Sequence, residues 1–99
     1  MIIIAQVTFP RECLKKTVEI LMELESLPDT IEMFGPFFRT GGDEKIYAIT
    51  YYNIDDFKGP HDPMQIIKER YLRFGNVPNF VSEVHYWRTV DDSLASWIG

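Results

Sequence analysis

Residues 2–9, IIIAQVTF, are β-branched and aromatic with partial alternation, which predicts a first strand. Over residues 11–26 the period lengthens. Leu14, Val18, Leu21 and Met22 recur at helical spacing, Ile20 and Leu24 widen the stripe, and Pro10 suits a first helical position because its missing N–H would be an orphan there. Leu27-Pro28-Asp29 stops that helix. Residues 30–40 read as a second strand interrupted by Gly35-Pro36; a proline cannot donate to a ladder, so this predicts an edge strand with a bulge or bend. Gly41-Gly42-Asp43 is a hairpin signal, and residues 45–54 predict a third strand.

Residues 55–63, DDFKGPHDP, form a polar connection that ends in a helix start, with Asp62 as N-cap, Pro63 at the first position and Gln65 completing a capping box. Met64, Ile67, Tyr71 and Phe74 give that second helix its apolar face, and Gly75 ends it. Residues 80–88 predict a fourth strand. Residues 90–98 predict a short amphipathic helix carrying Leu94, Trp97 and Ile98, which should dock on this chain or on a partner. The whole reads as one domain over residues 1–99.

The order β-α-β-β-α-β with short, right-handed connections predicts an α+β ferredoxin-like fold, a four-stranded antiparallel sheet in the order 4-1-3-2. Element order, length and strand character together resemble the dimeric α+β barrel superfamily, whose ferredoxin-like sheets pack face to face. The Gly41-Gly42-Asp43 hairpin and the Asp55-Asp56 pair after the third strand are similar to small members of that group. The resemblance implies a homodimer formed through the sheet. The site patterns of its antibiotic-biosynthesis monooxygenase and muconolactone isomerase branches are not found here, and their residues are not transferred.

The strands themselves favour a partner. On the third strand Ile46, Ala48, Thr50 and Tyr52 alternate with Tyr47, Ile49, Tyr51 and Asn53, so both faces carry large side chains. Two-sided strands need cover on both sides, and two helices cover only one. Four strands about 4.8 Å apart and roughly 20 Å long leave a bare face of about 400 Å², the size at which an apolar patch signals a partner or ligand.

Composition narrows the partners. A 99-residue chain with 45% apolar and 25% charged residues is ordinary for a globular domain. Its net charge of −5 lacks the basic stripe that nucleic acid or an anionic membrane surface requires. The third strand matches an RNA-recognition consensus at Lys45, Tyr47, Ala48 and Tyr52, but Ile46 and Ile49 stand where it needs glycine and an aromatic. No nucleic acid partner is expected. One cysteine, Cys13, allows no intrachain disulfide and fits a reducing compartment; in the first helical turn it reads as a small hydrophobe or surface thiol. No stretch approaches the length of a membrane span, and the start of the chain lacks the basic segment of a signal peptide. A cytoplasmic protein is expected.

The candidate chemistry lies on the bare face. Strand parity places Glu83, His85 and Trp87 on one face of the fourth strand, with Tyr47 and Tyr51 on the same face of the third. The first strand between them adds Gln6 and Thr8. The expectation is a partly enclosed cavity with His85 on one wall and Tyr47 or Tyr51 on the other, able to bind or protonate a small apolar, carbonyl-bearing ligand. The competing reading makes Glu83 and His85 polar interface residues or an edge-strand pair facing water. Asp55, Asp56, His61 and Asp62 hold oxygen and imidazole ligands, but Asp62 is already a helix cap and the rest read as a solvated turn. No metal and no cofactor are expected. A cofactor-independent monooxygenase- or isomerase-like enzyme, implied by the resemblance alone, and a purely structural or regulatory dimer remain as alternatives.

Overall fold

The computed structural model describes residues 1–54 and 62–88. Strand β1 (Ile2–Pro10) passes through a single 3₁₀ turn, Arg11–Cys13, into helix α1 (Leu14–Glu23). Strands β2 (Ile31–Thr40) and β3 (Lys45–Ile54) form a hairpin, and helix α2 (Pro63–Leu72) precedes strand β4 (Val81–Trp87). All neighbouring strands are antiparallel, and the order across the sheet is β2-β3-β1-β4, which read from the β4 edge is 4-1-3-2. This is a small α+β fold compatible with a ferredoxin-like arrangement. Asp55, Asp56, His61 and the tail with Leu94, Trp97 and Ile98 lie outside the described residues.

Local chemistry explains the boundaries. Asp62 caps α2, its Oδ1 accepting the Met64 N–H at 3.0 Å with Pro63 in the first turn. The reciprocal half of the box is not used: Gln65 Nε2 reaches Glu69 Oε1 at 3.5 Å instead. Strand β2 is an edge strand, and its register slips between Phe34 and Phe37 around a cis Gly35–Pro36 bond. Gly35 has φ of 108°, a conformation open to glycine and strained for any side chain.

The core lies on one face. Ile3, Ala5, Ile31, Tyr52, Ile54 and Ile67 form a cluster beneath α2. Phe9, Ile46, Phe74 and Val77 form a second one toward α1, and Tyr71 packs on both. Stacked rings run through this region, Phe74 on Phe80 at 4.7 Å and Phe9 on Phe80 at 6.1 Å between centroids.

Helix α1 is rotated from the expected orientation. The row Leu14, Val18, Met22 faces outward, with Met22 81% exposed, whereas Cys13, Ile20, Leu21 and Leu24 pack on the Phe9 cluster and Thr17 is buried. The aromatic stack explains the difference. It offers its surface to the neighbouring row of the helix, and the apolar stripe was wide enough to permit either.

Candidate functional site

The sheet register fixes which side chains share the face away from the helices. Opposite β1, Ile4 pairs with Tyr51 and His85, Gln6 with Ile49 and Glu83, and Thr8 with Tyr47 and Val81. On the far edge Phe34 pairs with Tyr51, Phe37 with Ile49, and Arg39 with Tyr47. Side chains alternate along strands, so these residues form rows across the sheet on the face opposite the buried Ile3, Ala5 and Phe9.

One end of this face is concave. A depression of about 490 Å³ has Gln6, Thr8, Tyr47 and Ile49 as its floor, Phe37 and Arg39 on the β2 side, and Val81 and Glu83 on the β4 side. Phe37 is 57% exposed and Val81 59%, so the depression has apolar shoulders open to solvent. A wider hollow of about 860 Å³ adjoins it at the sheet end and shares Thr8 and Val81. Arg11, Glu12, Asp43, Glu44 and Lys45 rim that hollow. Charges of both signs and no aromatic wall make it a poorer match to ligand sites, which are mostly apolar with a few convergent polar groups.

Tyr47 is the best-fixed side chain of the floor. Its hydroxyl donates to Asp43 Oδ2 in the hairpin turn, and the Arg39 guanidinium lies 4.1 Å from its ring centroid. The hydrogen bond to the carboxylate raises the Tyr47 pKa and lowers that of Asp43. Tyr47 therefore holds its proton, and that proton is already committed to Asp43. Gly41 makes the arrangement possible. A Cβ there would sit 2.4 Å from Asp43 Oδ1 and 2.6 Å from Tyr47 Cε2, closer than real Cβ contacts allow.

Of the residues chosen from sequence, Gln6, Thr8, Tyr47 and Glu83 line the depression. Tyr51, His85 and Trp87 share its face but stand outside its lining. His85 is exposed and lies in the row of Ile4 and Tyr51, one row beyond Gln6 and Glu83. Trp87 is one row further, beside Ile2 and Asn53. Sequence reasoning missed Phe37, Arg39 and Val81. Alternation counted outward from the buried positions of β3 would have recovered Arg39 once the hairpin register was fixed. Phe37 follows the bulge, where alternation breaks.

Among the described residues no cluster of three or more His, Cys, Asp or Glu side chains could hold a metal ion, and no helix is long and apolar enough to cross a membrane. Comparison with protein-family models, with curated proteins and with solved structures finds no match to the chain.

Proposed function

We propose that the chain pairs with a second copy of itself through the open sheet face, as the resemblance to dimeric α+β barrels implies, and that it holds a small molecule in the depression between Phe37 and Glu83. The observation that carries this reading is a mostly apolar concavity of about 490 Å³ set into a face that also exposes Phe34, Phe37, Tyr51, Val81 and Trp87. Such a face is costly to leave in water, because each buried large side chain is worth about 1.5–3 kcal/mol. A second copy is the partner that every molecule of the protein has at hand, and it would turn an open depression into a roofed one.

The ligand chemistry follows from the walls. Phe37, Ile49 and Val81 suit a flat or branched apolar body. Gln6 and Thr8 supply amide and hydroxyl groups able to meet a carbonyl, and Arg39 supplies a cation at the β2 edge. Tyr51, His85 and Trp87, one and two rows away, belong to the surrounding contact surface. Binding is favoured over proton transfer because the Tyr47 phenol is engaged with Asp43.

Native mass spectrometry tests the reading. The purified dimer should carry a retained small molecule, and Gln6→Trp, which fills the floor from an exposed position, should leave a dimer without it. A wild-type dimer of bare protein mass that also gains nothing from a library of small carbonyl compounds would contradict the ligand half of the proposal.

A further inference from the structure

One hydroxyl in the core has no hydrogen-bond partner among the described residues. Thr17 in α1 is 4% exposed, and its Oγ1 makes no hydrogen bond. A buried hydroxyl left unsatisfied is a substantial penalty, so a native Thr17 calls for an explanation. The residue lines a narrow space of about 30 Å³ between α1, the sheet and α2, open to solvent on the side of Pro36 and Phe38.

The walls of that space are apolar, with Phe9, Leu21, Phe74 and Phe80 prominent, except at three hydroxyls: Thr17, Thr50 and Tyr71. Thr50 is buried as well. Tyr71 lies 2.7 Å from the Tyr52 hydroxyl, and Thr50 and Tyr71 line the space together with Thr17. A space holds a water when it offers roughly 10–15 Å³ or more and two to four polar partners. This one meets both conditions.

We propose that the space is a hydration site, in which one ordered water bridges Thr17 Oγ1 to the Thr50 and Tyr71 hydroxyls that line it. The bridge joins α1 to a chain of hydroxyls that already ties α2 to β3 through Tyr71 and Tyr52, so one solvent molecule fastens both helices and the sheet at a single point. It also accounts for a threonine, rather than an aliphatic residue, on the buried row of α1. The site is separate from the open face and stands whether or not that face binds anything.

Thr17→Val tests the assignment by the sign of its effect, because it keeps the shape and removes the hydroxyl. If a water is bound, the variant takes away one of its few partners and the melting temperature falls, by about 4 °C or more. If nothing satisfies Oγ1, deleting an orphaned polar atom raises the melting temperature, and that result overturns the proposal. A high-resolution crystal structure of the wild type reads the site directly. Density within hydrogen-bond reach of Thr17 Oγ1 and a Thr50 or Tyr71 hydroxyl supports it. Thr17 Oγ1 turned back onto the Cys13 carbonyl, with no density in the space, overturns it.

Discussion

Tyr47 and Asp43 are locked together across the β2–β3 turn, the phenol donating to the carboxylate while Arg39 covers the ring at 4.1 Å. The pair reaches from the rim of the charged hollow to the floor of the apolar depression, so the hairpin turn and the candidate site share one hydrogen bond.

That bond carries a pH signature. Asp43 is lowered from 3.8, so its contribution is present above about pH 4 and is lost as pH falls through the depressed value. Tyr47 is raised from 10.0, so its contribution is present below about pH 10 and is lost as pH rises through the raised value. Asp43→Asn should flatten both ends of the hairpin's pH response and move the Tyr47 titration back down. Tyrosine-selective nuclear magnetic resonance would show this. A Tyr47 titration unchanged by the substitution would contradict the pairing.

The turn also holds a correctable strain. Glu44 has φ of 61°, in the left-handed region, although glycines stand at positions 41 and 42 of the same hairpin. Glu44→Gly should relieve about 1 kcal/mol and raise the denaturant midpoint without changing its slope. Gly41→Ala should do the opposite, since its Cβ would displace Asp43 and Tyr47.

In the core, Tyr52 and Tyr71 share a hydrogen bond at 2.7 Å. Burial first, and then the Tyr52 hydroxyl beside it, push the Tyr71 pKa far above its ordinary value. A raised folded-state value means stability present below pH 10 and lost as the solution becomes more alkaline. Tyr71→Phe should cost about 0.5–1.5 kcal/mol at neutral pH and reduce the steepness of alkaline unfolding, measured by circular dichroism between pH 9 and 12.

Several of these features were legible in the residues. The period-two run at Lys45–Ile54 gave β3 its bounds, Asp62-Pro63 marked the start of α2, and Gly35-Pro36 marked an edge strand with a broken register. Each depends on neighbours in sequence. What was not legible depends on residues far apart. Which row of α1 faces inward is set by the Phe9, Phe74 and Phe80 stack, whose members are spread over three parts of the chain. Parity placed Gln6, Tyr47 and Glu83 on one face. The position of the concavity along that face depends on Phe37 and Arg39 beyond the bulge, and so it opens beside Glu83 rather than beside His85.

Phe37 separates folding from pairing. It is exposed on an edge strand of the single chain, where its ring meets Tyr51 edge-on at 6.3 Å between centroids. Phe37→Glu should leave the melting temperature of the isolated chain nearly unchanged. At a self-interface it would bury an uncompensated charge at a cost of about 3 kcal/mol or more, which weakens the dimer at least ~100-fold. Analytical size exclusion over a dilution series would read both wild type and variant; equal dimer stability would remove Phe37 from the interface.

Sedimentation equilibrium of the wild-type chain at micromolar concentration tests pairing through the open sheet face most directly. The account predicts a species of twice the 11.6 kDa chain mass that dissociates on dilution and is abolished by Tyr51→Glu. A single species of 11.6 kDa at every concentration would leave the exposed aromatic face uncovered and would contradict it.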